Sequence, residues 1–245
     1  MPTRAVHIVV DAASPSRLAA FWASALGWVV ANDEPDEAAV WPAGFQYPGP
    51  TALPLIFVPV KDPKTTKNRV HLDLSTTSPE HQVAEVERLL GLGAVRLDIG
   101  QGQVPWEVLA DPEGNEFCVL EPRPVYLDAR PVAAVVIDSA DPAPTARFWA
   151  TAAGWVPHES DDDFASLRAP GGTGPYLELL RVPDVKNVKN RLHVDVAPLP
   201  GGDVRAEADH LAEAGAVPVD IGQGQVSWEV LADPEGNEFC VLSPR

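Results

Sequence analysis

A short apolar strand over Ala5–Val10 leads into residues at helical spacing. Leu18, Phe21, Trp22, Ala25 and Leu26 fall on one face. Ser14 and Pro15 precede this helix as a cap and a first-turn proline, and Gly27 ends it. Three strand-like segments follow, near 28–31, 38–41 and 53–60. The pattern then restarts. The stretch NRVHLDL (Asn68–Leu74) predicts a strand, and Ser78–Leu90 predicts a helix with Pro79 near its start and Gly91 and Gly93 at its end. Strands at AVRLDI, VPWEVLA and NEFCVL complete the unit. Between the last two, DPEGN predicts a hairpin turn in which Gly114 or Asn115 takes the left-handed conformation.

This whole pattern occurs twice. DIGQGQVPWEVLADPEGNEFCVL (Asp98–Leu120) returns at Asp220–Leu242 with Pro105 replaced by Ser227 as its single change. NRVHLDL returns as NRLHVDV (Asn190–Val196), and Phe21-Trp22 returns as Phe148-Trp149. The proline- and charge-rich stretch up to Pro131 reads as a linker. The expected organisation is therefore a domain over 1–121, a linker over 122–131 and a domain over 132–245. Each domain would hold two strand–helix–three-strand units, because one helix over four strands cannot close a core alone. Whether units pair within or across the copies stays open.

Composition narrows the partners. A net charge of −17 on 245 residues repels phosphate backbones and anionic lipid, so neither nucleic acid nor membrane is expected. No apolar run suggests a membrane span or a signal peptide. The two cysteines, Cys118 and Cys240, sit one in each copy and read as free thiols of a reducing cytosol, which implies a cytoplasmic protein.

Strand alternation sorts the polar side chains. In NRVHLDL, Val70, Leu72 and Leu74 point to the helix, while Arg69, His71 and Asp73 point away. Arg191, His193 and Asp195 repeat this in the second copy, and His7 and Asp11 share a face in the first strand. Glu116, Cys118 and Leu120 also share a face. A curved sheet with such a polar face describes a ligand cleft. Trp106 and Trp228 alternate with Glu107 and Glu229, and either member of each pair can face that cleft. The first copy alone carries the aromatic stretch VWPAGFQYPGP, with Trp41, Phe45 and Tyr47, as an apolar wall or a rigid surface loop. His81, His158 and His210 lie in helix or loop contexts and read as solvated.

Strand–helix–three-strand units, the Phe-Trp pair after SP or DP, NRxHxD and DPEGNEFCVL together resemble the glyoxalase/bleomycin-resistance/extradiol-dioxygenase superfamily, also called vicinal oxygen chelate proteins. The similarity is strongest to tandem glyoxalase-like domain proteins and covers nearly the whole chain. It implies an α+β fold of tandem domains, each with two βαβββ units in a curved open-barrel sheet and helices outside. Metal-dependent members hold a divalent ion with side chains on four strands, usually His or Gln, Glu, His and Glu. Carried over, those positions are His7, Ile56, His71 and Cys118 in the first copy. In the second they are Ala134, Glu178, His193 and Cys240. Neither set is complete within a copy. Pairing across copies would join His7 with His193 and Cys240, and Glu178 with His71 and Cys118. The first of these sets suits zinc; zinc, iron, manganese, nickel and magnesium all stay open.

The resemblance implies a glyoxalase-like protein with an organic small molecule in its cleft. It would act as a lyase, isomerase or dioxygenase, without ordinary glyoxalase I activity. His7, His71, His193 and Glu178 are the expected catalytic residues. Arg69, Asp73, Arg191, Asp195, Trp41, Trp106 and Trp228 would contact ligand. The alternatives are a binding protein without turnover, like the drug- or antibiotic-sequestering members, and a tandem in which one copy is structural. The histidines have a plainer role open to them, bonding Asp73, Asp195 or a strand carbonyl, and the cysteines one as small packed residues. The chain would be a monomer with pseudo-dimeric domain pairing or a homodimer.

Overall fold

Glycine and proline divide the chain into the four expected units. The computed structural model describes residues 3–129 and 131–245; Met1, Pro2 and Arg130, which fall in the expected first domain and linker, lie outside the described residues. The first unit contains β1 (Thr3–Ala12), α1 (Pro15–Leu26), β2 (Val29–Glu34), β3 (Glu37–Trp41) and β4 (Leu55–Pro59). The second contains β5 (Val70–Leu74), α2 (Pro79–Leu92), β6 (Val95–Arg96), β7 (Glu107–Ala110) and β8 (Glu116–Val119). In the third are β9 (Val132–Ser139), α3 (Pro142–Ala153), β10 (Val156–Ser160), β11 (Phe164–Arg168) and β12 (Tyr176–Arg181). The fourth has β13 (Leu192–Pro198), α4 (Val204–Glu213), β14 (Val217–Pro218), β15 (Glu229–Ala232) and β16 (Glu238–Val241).

The units pair across the copies. Sheet A runs β14-β15-β16-β13-β1-β4-β3-β2, joining the first unit to the fourth, and sheet B runs β10-β11-β12-β9-β5-β8-β7-β6, joining the third to the second. The seams are antiparallel, β1 with β13 and β5 with β9. Both sheets are eight-stranded and open. Their helix-side residues, among them Ile8, Val10, Leu72, Leu74, Val135, Ile137, Val194 and Val196, merge with the helices into one apolar core.

The repeated DPEGN block explains how the two sheets stay together. Gly114 takes the left-handed conformation at φ 84°, and the Asp111 N–H bonds the Asn115 carbonyl to close the turn. Asp111 then accepts from Glu113 N, Asn115 N and Asn115 Nδ2, and from Nε1 of Trp22 on α1 at 3.1 Å. That indole packs edge-on to Phe117 at 5.1 Å between ring centres. Asp233 repeats the set, with Trp149 Nε1 at 3.0 Å. Thus each Phe-Trp helix of one sheet docks on the DPEGNEF hairpin of the other sheet, within the same sequence copy. The block is a turn and also a clamp.

Several local expectations are corrected. Ser14 starts α1 but makes no side-chain cap bond; Glu113 reaches over from sheet B and accepts Ala13 N at 2.7 Å and Ser14 N at 2.8 Å. Glu235 does the same for Ala140 N and Asp141 N at α3. A carboxylate at a helix N-terminus satisfies orphan amides and complements the helix dipole. Helix α2 runs past Gly91 to Leu92 before Gly93 caps it. AVRLDI shrinks to two strand residues, because Asp98 and Gln101 side chains take the Gly100 and Ile99 amides out of the ladder.

Candidate functional site

Sheet A presents a polar face that spans both copies. His7 on β1 stands opposite Asp195 on β13, so the two copies meet at this pair. His7 Nε2 lies 3.1 Å from Asp195 Oδ2. Asp195 Oδ1 accepts the Cys240 N–H at 2.9 Å and lies 3.3 Å from His193 Nε2. Cys240 Sγ is 3.8 Å from that same His193 nitrogen. The second nitrogen of His7, Nδ1, lies 2.8 Å from the Tyr47 hydroxyl. An ionised Asp195 requires the proton on His7 Nε2, which leaves Nδ1 to accept from Tyr47. Burial works against the Asp195 carboxylate, yet the imidazoles of His193 and His7 hold it well below the usual range. Burial, with the Asp195 charge beside it, pushes the Cys240 thiol up, so it stays protonated. His193 Nδ1 is buried without a hydrogen-bond partner.

Beside this polar row lies an apolar strip of Val9, Ala39 and Ile56, flanked by Trp41 and Val58. The aromatic insert of the first copy forms the wall of this face. Tyr47 stacks on Trp41 at 6.0 Å and on His7 at 5.9 Å, both nearly parallel. The Arg245 guanidinium sits 5.5 Å over the Tyr47 ring, and Arg4 bonds the Arg245 carbonyl.

Sheet B carries the other acid–base residue. Glu178 on β12 accepts from the Tyr126 hydroxyl at 2.7 Å. Tyr126 comes from a 3-10 turn (Pro124–Tyr126) in the expected linker and packs with Ala133, Ala134, Val136 and Tyr176. Burial pushes Glu178 up to about 7, against the opposing bond from Tyr126. Burial likewise pushes Asp73 up to about 6 and, aided by Lys67, pulls His71 down to about 3. His71 Nε2 lies 3.5 Å from Asp73 Oδ1, a buried oxygen without a hydrogen bond. Burial raises the Cys118 thiol.

The two faces share one construction. Each has a residue the other lacks, His7 against Ala134 and Glu178 against Ile56, and each such residue is bonded by a tyrosine hydroxyl. Each tyrosine lies under an arginine, Arg245 over Tyr47 and Arg123 over Tyr126 at 5.9 Å. These arginines occupy the same place in the repeat, VLEPR against VLSPR. Tyr126 escaped the sequence analysis; a lone aromatic in a polar, proline-rich connector was the available signal.

The structure also places the other residues expected to contact ligand. Arg69 donates to the carbonyls of Asp184 and Asp138 and to Asn237 Oδ1, and Arg191 to the carbonyls of Asp62 and Asp11, so these guanidinium groups tie the copies together. Trp106 packs at face B under Arg123, 5.8 Å from its ring centre, while Trp228 is exposed. Asp11 and Asp138 pair with Lys189 and Lys67.

The glyoxalase-like domain family matches the chain twice, over 7–120 and 134–242. The chain belongs to the glyoxalase-like domain family. This tandem glyoxalase-like protein shares its fold with glyoxalase I from Zea mays, at 16% identity and a TM-score of 0.65 over 98% of this chain and 92% of that one. A proposed dioxygenase from Bacillus subtilis matches at 14% identity and a TM-score of 0.61, over 99% and 85%. No curated protein matches in sequence. Among the described residues, no helix is long and apolar enough to cross a membrane.

The metal quartet of the superfamily does not fit this glyoxalase-like protein. Sheet A puts apolar Ile56 at one position, sheet B puts Ala134 at another, and both put cysteine where a glutamate would stand. Of the quartet's two glutamates, sheet B keeps one, Glu178, and sheet A keeps neither, so neither face offers the hard oxygen set that suits magnesium or manganese. What the faces do hold are two groups of side chains with closely spaced donors, His193, Asp195 and Cys240 on sheet A and His71, Asp73 and Cys118 on sheet B.

Proposed function

We propose that the chain binds an organic small molecule on the face of sheet A and moves a proton at an oxygen of that molecule or at the adjoining carbon. The observation that carries this is His7, held between the Tyr47 hydroxyl and the Asp195 carboxylate. That chain of groups orients the imidazole and stabilises a positive charge on it once Nδ1 takes a proton. Tyr47 stands at the edge of the face, half-buried, where it meets a ligand first. The strip of Val9, Ala39, Ile56 and Trp41 suits the apolar body of such a ligand, and His7 and Tyr47 suit its carbonyl or hydroxyl end. The activity belongs to the lyase or isomerase type. Binding without turnover is the second reading, favoured by the Tyr47 hydroxyl already taking up the free nitrogen of His7.

A thermal-shift screen of hydroxyketones and keto acids, aromatic and aliphatic, tests the site. A compound that stabilises the protein should bind about 1–3 kcal/mol more weakly to His7→Ala and unchanged to Glu178→Gln. The reverse pattern moves the site to sheet B. Incorporation of solvent deuterium beside the carbonyl of the bound compound separates turnover from binding alone.

The glutathione–methylglyoxal adduct should not be turned over, with or without added magnesium, nickel or zinc. Ile56, Ala134 and the two cysteines interrupt both quartets that would chelate its oxygens. Robust metal-restored turnover in a standard lactoylglutathione assay contradicts this.

A further inference from the structure

We infer that the ligand of sheet A carries a carboxylate, as in a hydroxy or keto acid, and that the Arg245 guanidinium anchors it. The inference rests on the proposed site at His7 and Tyr47. It narrows the ligand of that site from a carbonyl or hydroxyl compound to an anion.

The copies differ at a position that sets the charge beside each tyrosine. In VLEPR, Glu121 stands two residues before Arg123, and its Oε1 accepts from Arg123 Nε at 2.7 Å. That guanidinium, over Trp106 and Tyr126, is therefore neutralised in place. In VLSPR, Ser243 takes the position of the glutamate. Arg245 keeps its place over a tyrosine, 5.5 Å from the Tyr47 ring centre, but its guanidinium has no carboxylate partner among the described residues. Its backbone is nevertheless held. The Arg245 N–H bonds the Pro198 carbonyl at the end of β13 at 3.2 Å, and the Arg245 carbonyl accepts from Arg4. Arg4 adds a second cation to this edge, and its Nε is buried without an acceptor. Both charges act on the Tyr47 hydroxyl, against the rise that burial causes. The carboxylates that also act there, Asp195 and Glu37, are engaged by other groups: Asp195 by His7 and the Cys240 N–H, Glu37 by Asn32.

A carboxylate suits this edge for a chemical reason. The guanidinium fork presents paired N–H donors to both oxygens of a carboxylate, and such charge-assisted bonds are stronger than neutral ones. A chain of net charge −17 repels anions at a distance, so an anionic ligand needs a local cation. With its carboxylate on Arg245, a hydroxy or keto acid brings its neighbouring oxygen toward the Tyr47 hydroxyl and His7. The face of sheet B is set against the same ligand. There Glu121, Glu178 and Asp73 surround the single cation Arg123 and act on one another. Asp73 Oδ1 and Glu121 Oε2 are already buried without a hydrogen bond, so an incoming anion meets acceptors in place of donors.

Titration calorimetry of the full chain with mandelate, benzoylformate and 2-oxohexanoate, each beside its methyl ester, tests this. At least one acid should bind about tenfold more tightly than its ester, the lower range for a hydrogen bond to a charged group. High salt should shrink that advantage. Arg245→Gln should remove it and leave the ester unchanged. Ser243→Glu, at an exposed position, should remove it with Arg245 still present, because it restores the partner that Glu121 gives Arg123. This second variant carries the test if Arg245→Gln misfolds. Acids that bind no more tightly than their esters overturn the inference, as does an advantage that survives either variant. Acids and esters of equal affinity, both weakened by His7→Ala, leave the proposed function standing and remove this inference alone. An acid preference lost with Arg245 but untouched by His7→Ala supports the anchor and removes the role proposed for His7.

Discussion

Replacing Asp233 with alanine is expected to destabilise the protein by about 3–5 kcal/mol. One carboxylate there receives four donors: Glu235 N, Asn237 N and Asn237 Nδ2 at 2.9 Å, and Trp149 Nε1 at 3.0 Å. Its removal leaves a buried indole N–H and two turn amides without acceptors, in a site that is 1% exposed. The loss reaches beyond the turn, because the same hairpin presents Glu235 to the start of α3. Asp111→Ala should behave alike through Trp22. Urea unfolding measures both. A loss below about 1 kcal/mol for each would mean that the clamp between the sheets contributes little.

Glu178→Gln should flatten the pH dependence of stability. The carboxyl of Glu178 rises from 4.5 to about 7 on folding, so the folded chain holds an extra proton between those values. The stabilisation is full below about pH 4.5 and is lost as pH rises through 7. A shift of that size corresponds to about 3 kcal/mol for a side chain this deeply buried. Glutamine keeps an acceptor for Tyr126 and removes the charge. Relative to the parent, the variant should therefore gain about 3 kcal/mol between pH 5 and pH 8. His71 and Asp73 titrate in overlapping windows and remain in both proteins; the Asp73 charge raises Glu178, so the difference reports Glu178 together with its coupling to Asp73. Parallel stability curves across that range would show that Glu178 ionises without cost.

Much of the architecture is legible along the chain. The period of apolar residues, the glycine and proline stops and the duplicated block determine four βαβββ units and assign the helix-facing side of β1, β5 and β13. Alternation likewise puts His7, His71, Asp73, His193, Asp195, Cys118 and Cys240 opposite the helices, because side-chain direction in a strand depends on parity alone. The same local rules recognise DPEGN as a turn, since Gly114 or Asn115 suits the left-handed conformation it needs. They say nothing of its clamp, because the partner of Asp111 is an indole 89 residues away.

Only the tertiary structure decided which units share a sheet. Both pairings bury the same apolar residues, so periodicity cannot choose between them. The docking of each Phe-Trp helix on its own copy's DPEGNEF hairpin places the two units of a copy in different sheets, and each edge then completes itself with the other copy. Neither polar face therefore exists within one copy. His7 meets Asp195 across 188 residues, and Glu178 finds Tyr126 in the connector. The guanidinium groups of Arg69 and Arg191 stand just before β5 and β13, where the alternation of the sequence aims them at the polar face. They bond carbonyls of the other copy, across the seam between β1 and β13 or β5 and β9. Strand parity is a local property, whereas the partner of a polar group is set by which distant strand lies beside it.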